Sequence, residues 1–329
     1  MLLKKRSRNT LFPYLLRLPN SAVFCSIYIS SLLSLFFFLS YHLISQFSIL
    51  TKSTTQREPS PFYLHYVRFS SKPQRNFTFT DYLSVLSGVQ YLRPDGILLH
   101  GDVIPNGPYW DNLTARNLIR HVPMNRPTDF GKREGKPKKP FSIEHFADVA
   151  KLDVLLKYGG VAIDFDVFFL QGERIKDILK RKKAITCYGD EDGNNIGFVA
   201  GHKDSKFLWA WRRSYIDIYM ASDWNFNQAF VSKYLSVLYP KDVYVADFIC
   251  PLFNAELTDP QNEEVMYFFR NAMALHTYER SLEKSIESVE DLKTMNNTLR
   301  SWLFRNIYHN IQVPPVDPNF NDEVIPDRL

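Results

Sequence analysis

The sequence predicts an α/β fold: a mixed, mainly parallel sheet flanked by helices, preceded by one N-terminal transmembrane helix. Three observations carry this. Residues 22–43, AVFCSIYISSLLSLFFFLSYHL, contain no charged side chain. From residue 62 onward, short apolar runs alternate with runs of helical spacing. Finally, 329 residues less that segment and its flanks leave about 270, enough for one large domain with a full core. The composition is globular, with 45% apolar and 23% charged residues. The net charge of +5 gathers in two short runs with no interleaved stacking aromatics, which excludes a general nucleic-acid binder.

About 20 apolar residues cross a hydrocarbon core of roughly 30 Å as a helix. Lys4, Lys5, Arg6, Arg8 and Arg17 precede the segment, and the positive-inside rule puts them in the cytosol. A cleaved signal peptide would have a shorter apolar core and a small-residue cleavage site after it. Neither is present. The expected organisation is therefore a cytosolic basic tail (1–21), a signal-anchor helix (22–43), a stem (44–60) and a lumenal domain (61–329). Asn76, Asn112 and Asn296 head glycosylation triplets, which fits that placement. Cys187 and Cys250 are the only cysteines beyond the membrane segment, and they either pair or stay as buried thiols.

FYLHYVRFS at 62–70 reads as a strand. The spacing of Leu83, Val85, Leu86, Val89 and Leu92 predicts a helix over 80–92, with Thr80 or Asp81 as its cap. Pro94-Asp95-Gly96 turns the chain into a buried strand at 97–102. This β-α-β order implies a right-handed crossover and parallel pairing. Residues 125–140, rich in Lys, Pro and Gly, read as an exposed loop. The next stretch predicts a helix over 142–158 capped near Ser142, a stop at Gly159-Gly160, and a strand over 161–163. Further helices are expected at 207–220, 226–240 and from about 288 to 306, and a strand at 242–247.

The strand at 161–163 ends in Asp164-Phe165-Asp166. Carboxylates two residues apart on extended backbone project to one side. Their oxygens suit a hard octahedral cation, Mg²⁺ or Mn²⁺, shared with phosphate oxygens and water. In open α/β sheets such ligands sit outside the carboxyl ends of the strands.

The run Ala147, Asp148, Lys151, Leu155, Gly159, Gly160, Ala162, Asp164, Asp166 keeps the spacing of a known pattern, A/S-D-x-x-R-x-x-x-L-x-x-x-G-G-x-Y-x-D-x-D. It resembles the DXD-containing sugar-binding glycosyltransferases. That group includes the yeast initiating mannosyltransferase, the animal α1,4-galactosyl- and α1,4-N-acetylglucosaminyltransferases and the large clostridial toxins. HYVRF at 65–69, LHGDVIPNGPYW at 99–110, DWNFNQAF at 223–230 and Ala274-Leu275-His276 extend the resemblance to about 62–310. It implies a GT-A fold, a retaining glycosyltransferase, Mn²⁺ (or Mg²⁺) as cofactor, and a nucleotide-sugar donor, a UDP-sugar ahead of GDP-mannose. The acceptor would be a glycan or glycolipid hydroxyl, and the compartment the Golgi or the ER. By the same resemblance, Asp148, Lys151, Asp164 and Asn195 contact the donor, while Asp164, Asp166 and His276 hold the metal. No side chain stands out as base or nucleophile.

Two departures stand against that pattern. Lys151 replaces an arginine, keeping the charge but losing the planar fork. Ala162 replaces an aromatic residue and removes a possible donor contact. Both leave open an inactive glycosyltransferase-like membrane protein that serves as an interaction partner. A haloacid-dehalogenase-type phosphatase also places D-x-D after an apolar strand, but here Val-Phe-Phe follows Asp166 and a long stretch precedes it.

Overall fold

Apolar runs of four to eight residues pair into a seven-stranded sheet. The structure, a computed structural model, describes residues 60–71, 76–133, 136–137, 140, 142–189, 193–250, 259–279, 282 and 286–321. The apolar segment 22–43, its basic tail and nearly all of the stem lie outside them. Among the described residues, no helix is long and apolar enough to cross a membrane.

The strands of the sheet are β1 (Tyr63–Val67), β2 (Gly96–Gly101), β3 (Arg120–Pro123), β6 (Gly160–Ile163), β8 (Ala184–Tyr188), β9 (Asn194–Gly201) and β10 (Val243–Ala246). They lie in the order β10-β8-β9-β6-β1-β2-β3. β1 is parallel to β2 and β6, β2 to β3, and β8 to β10. β9 alone runs antiparallel, to both β6 and β8. Two short antiparallel pairs stand apart: β4 (Lys132–Arg133) with β5 (Lys136–Pro137), and β7 (Val167–Phe169) with β11 (Ala274–His276). The predicted loop at 125–140 thus contains a small hairpin. Its Gly and Pro residues mark the turns without revealing the pairing.

Both faces of the sheet are covered. Val161 and Ile163 point into one core with helices α1 (Phe79–Ser87), α2 (Pro108–Ala115), α4 (Glu173–Leu179), α7 (Glu263–Asn271), α8 (Val289–Thr294) and α9 (Leu299–Tyr308). Ala162 points to the other face, with α3 (Ile143–Tyr158), α5 (Lys206–Asp217) and α6 (Val231–Leu238). This alternation is the period of two expected of a strand buried on both sides. Ala162 itself is fully buried beside the α3 layer.

Helix boundaries and caps differ from expectation in places. α1 starts one residue earlier, because Thr78 forms a capping box with Asp81: Asp81 N donates to Thr78 Oγ1 (3.1 Å) and Thr78 N to Asp81 Oδ2 (2.9 Å). It then widens into a π-turn over Gly88–Leu92. The single helix expected from 288 to 306 is two, because Thr298 caps a second one with Ser301. Ser142 is the N-cap residue of α3, but its side chain makes no capping bond. Gly159 and Gly160 both have positive φ, 71° and 105°. A Cβ on Gly160 would come within 2.2 Å of Tyr63 O, so this glycine lets β6 lie against β1.

His65 and His100 are buried side by side, His65 Nδ1 lying 3.0 Å from His100 Nε2 and His65 Nε2 2.9 Å from Gly159 O. Burial pushes His65 down to about 4. Burial, with His65, Lys157 and His121 adding, pushes His100 down to about 3. The unfolded chain takes up these protons near pH 6.5, the folded chain only at those lower values. Stability is therefore intact above pH 6.5 and lost as pH falls through the window, by on the order of 3 kcal/mol for His65 alone. Urea titrations at pH 7 and 4.5 should show this loss. His65→Gln, which retains a donor for Gly159 O, should flatten it; an unchanged pH slope would refute the assignment.

Candidate active site

From β1 the chain winds outward to β2 and β3, then returns to β6 and continues through β8, β9 and β10 on the other side. The carboxyl ends of β1 and β6 therefore flank the point where the winding reverses. Open α/β sheets bind ligands in that crevice. Arg68 leaves β1 there, and Asp164-Phe165-Asp166 leaves β6.

The Asp pair lies in a turn rather than on extended strand: Val167 N bonds Asp164 O (3.2 Å) and Asp164 N bonds Gly197 O (2.8 Å). Phe165 anchors this turn, stacking on Tyr66 at 4.3 Å with the Arg68 guanidinium 4.8 Å from its ring. Arg68 in turn pairs with Asp81 at 2.6 Å. The turn sends the two carboxylates to different partners, which corrects the expectation that they project together.

Asp164 meets Lys151. The ammonium, on α3 and only 1% exposed, lies 2.8 Å from Asp164 Oδ1, 3.4 Å from Asp148 Oδ1 and 3.1 Å from Ile196 O. Its three donors are thus all engaged. Asp148 and Lys151 share a helical face, one turn apart. Burial pushes the Asp148 carboxyl up to about 7 against the pull of Lys151. Burial lowers the Lys151 ammonium, but Asp164 and Asp148 outweigh it and hold it above its ordinary value. Asp164 remains 42% exposed on its side chain, open to the crevice.

Asp166 meets His276. β11 pairs with β7, and Thr277 N bonds Asp166 O (2.9 Å), which brings His276 Nε2 to 3.2 Å from Asp166 Oδ1. Asn195 is held from two sides: Gly197 N donates to its Oδ1 (2.6 Å), and its Nδ2 donates to Tyr278 Oη (3.4 Å). Asn194 faces the opposite side of β9 and is buried. Asn227 also lies in the interior, bonded to Met220 N and Ser214 O. The crevice therefore gathers Asp148, Lys151, Asp164, Asp166, Asn195 and His276.

Sequence reasoning missed Gly197, Tyr278 and Glu279. Glu279 accepts from Thr277 Oγ1 (2.8 Å) and Arg300 Nε (3.0 Å), with Arg300 Nη2 on its other oxygen. Burial raises its carboxyl, and the charge of Asp166 adds to the effect. The Cys187–Cys250 disulfide is formed, resolving the alternatives the sequence left open.

The donor set fits a divalent cation held by few protein groups. Among the described residues, no three His, Cys, Asp or Glu side chains converge on one point. Asp166 Oδ1 and His276 Nε2 nevertheless lie 3.2 Å apart, one oxygen and one nitrogen donor, and the Asp164 carboxylate, two residues before Asp166, is partly exposed. Mg²⁺-like ions accept one or two carboxylates and complete their shell with water and phosphate.

No protein-family model matches the chain. It is 33% identical over 88 residues to glucan organizing enzyme 1 of Cryptococcus neoformans var. grubii, a match covering 26% of this chain. The chain thus spans 22% of that relative's length. Among solved structures it is similar to the PaToxG glycosyltransferase, at 13% identity over 55% of this chain and 70% of that one, TM-score 0.36. It is also similar to the glycosyltransferase GlyE of Streptococcus pneumoniae TIGR4, at 11% identity over 79% and 67%, TM-score 0.38. A third is the galactosyltransferase LgtC with donor and acceptor sugar analogs, at 15% identity over 78% and 98%, TM-score 0.38.

Proposed function

We propose that this chain is a metal-dependent, retaining glycosyltransferase of GT-A type that moves a sugar from a nucleotide-sugar, a UDP-sugar ahead of GDP-mannose, to a glycan or glycolipid hydroxyl. The observation that carries this is the Asp164-Phe165-Asp166 turn at the reversal point of the sheet, with Lys151 and Asp148 on one side and His276 on the other. Asp166 and His276 would hold Mn²⁺ (or Mg²⁺), with Asp164 at its edge. The cation supplies charge neutralisation for a departing diphosphate. Lys151 keeps a fixed positive charge behind Asp164, and Asp148 and Asn195 offer acceptor and amide groups to sugar hydroxyls. No general base is assigned. The disulfide supports an oxidising compartment, and Asn76, Asn112 and Asn296 are all exposed, which suits lumenal glycosylation. With the apolar segment 22–43, these features favour a single-pass type II membrane protein of the Golgi or the ER.

One observation favours an inactive relative: the Lys151 ammonium already neutralises Asp164. Turnover separates the two readings. Incubated with UDP-sugars or GDP-mannose and Mn²⁺, the full chain should release nucleoside diphosphate faster than the Asp164→Asn/Asp166→Asn variant. Equal, background release across all donors and a panel of glycan acceptors would leave the inactive reading standing.

A further inference from the structure

A metal-binding histidine usually has its second ring nitrogen fixed by a hydrogen bond, which sets the orientation of the ring. His276 departs from this. Its Nε2 faces Asp166 Oδ1, while its Nδ1 is buried and has no hydrogen-bond partner. What holds the ring is contact on two sides. Tyr278 stacks on it with centroids 3.9 Å apart and planes at 24°. From another direction Gly197 closes in: a Cβ there would lie 2.8 Å from His276 Cε1 and 3.0 Å from Nδ1, leaving no room for a side chain without moving the imidazole.

Tyr278 is itself fixed by its hydroxyl. It donates to Cys250 O (3.2 Å) and accepts from Asn195 Nδ2 (3.4 Å), using one donor and one acceptor site of the phenol. Both partners are anchored. Cys250 is tied by the disulfide to Cys187, which pairs with Asn195 in the β8–β9 register. The residue before it, Ile249, accepts His276 N (2.7 Å). Asn195 is held by Gly197 N (2.6 Å).

On the metal-site reading above, we propose that Tyr278 and Gly197 are positioning residues. They clamp the His276 imidazole toward Asp166 in place of the missing hydrogen bond, and through Asn195 they couple the cation site to the donor-binding side. The disulfide is the anchor of this clamp.

The test is Mn²⁺ binding to the full chain, followed by electron paramagnetic resonance of free and bound ion, with no turnover required. Tyr278→Leu, which removes both the stack and the hydroxyl, should weaken Mn²⁺ roughly tenfold or more. Tyr278→Phe keeps the stack and should lose only a few-fold, so the phenylalanine variant restores most of what leucine removes. Gly197→Ala crowds the ring from the other side and should also weaken the ion, with near-UV circular dichroism establishing that each variant is folded. Wild-type affinity in folded Tyr278→Leu and Gly197→Ala would overturn the clamp while leaving the metal site intact. A wild-type chain that does not bind Mn²⁺ would instead remove the metal-site reading, and the clamp with it.

Discussion

Lys151→Met should destabilise the fold by about 3–5 kcal/mol and abolish turnover. The ammonium is 1% exposed and contacts two carboxylates and a carbonyl. Methionine fills a similar volume but leaves Asp148, itself buried, facing Asp164 without a cation between them. Burial already raises Asp148 to about 7. Loss of Lys151 removes the pull that opposes this and raises it further. A carboxyl whose folded value lies above its unfolded one binds more protons when folded, so its contribution falls as pH rises. The stability gap between wild type and Lys151→Met should therefore be widest near pH 8 and narrower near 5.5, as denaturant titrations at both values would reveal. A gap under about 1 kcal/mol, independent of pH, would mean that the pairing is no stronger than a surface ion pair.

Asp166→Asn should leave the fold unharmed and reduce turnover at least a hundredfold, equivalent to about 2.7 kcal/mol of transition-state stabilisation. The structural bond from Thr277 N goes to the backbone carbonyl of residue 166, which the substitution keeps. Removing the charge also relieves the burden on Glu279, whose carboxyl Asp166 helps to raise. Thermal melting should thus be unchanged or slightly higher while Mn²⁺ affinity and turnover fall together. A parallel loss of melting temperature would mark Asp166 as structural.

The central segment of the fold was legible because its signals are local. Helical periodicity over 143–158, two glycines and three apolar residues place α3, the stop and β6 within a residue of where they lie. The Thr78 and Thr298 caps were equally local and were overlooked. Strands β3, β7, β8, β9 and β11 were not read, and β9 illustrates the reason. Its residues 194–201 mix Asn, Gly and apolar side chains, and only pairing with β6 and β8 makes them a strand. In the site, the sequence supplied the candidates but not their partners. Asp148 and Lys151 are one helical turn apart, whereas Lys151 with Asp164 and Asp166 with His276 are tertiary meetings. The turn that carries the two Asp carboxylates depends on Phe165 packing against Tyr66, a contact between the turn after β6 and the neighbouring strand β1. Gly197 and Tyr278 carried no signal of their own, since their importance lies in what surrounds His276.

The central claim, a nucleotide-sugar site built on the Asp164-Phe165-Asp166 turn, is tested most directly by calorimetric titration of UDP and GDP into the full chain, with Mn²⁺ and with chelator. One of the two nucleotides, UDP ahead of GDP, should bind with Mn²⁺ present, and binding should disappear with chelator and in Asp166→Asn. Binding of neither nucleotide to a folded chain, or binding indifferent to both Mn²⁺ and Asp166, would contradict it.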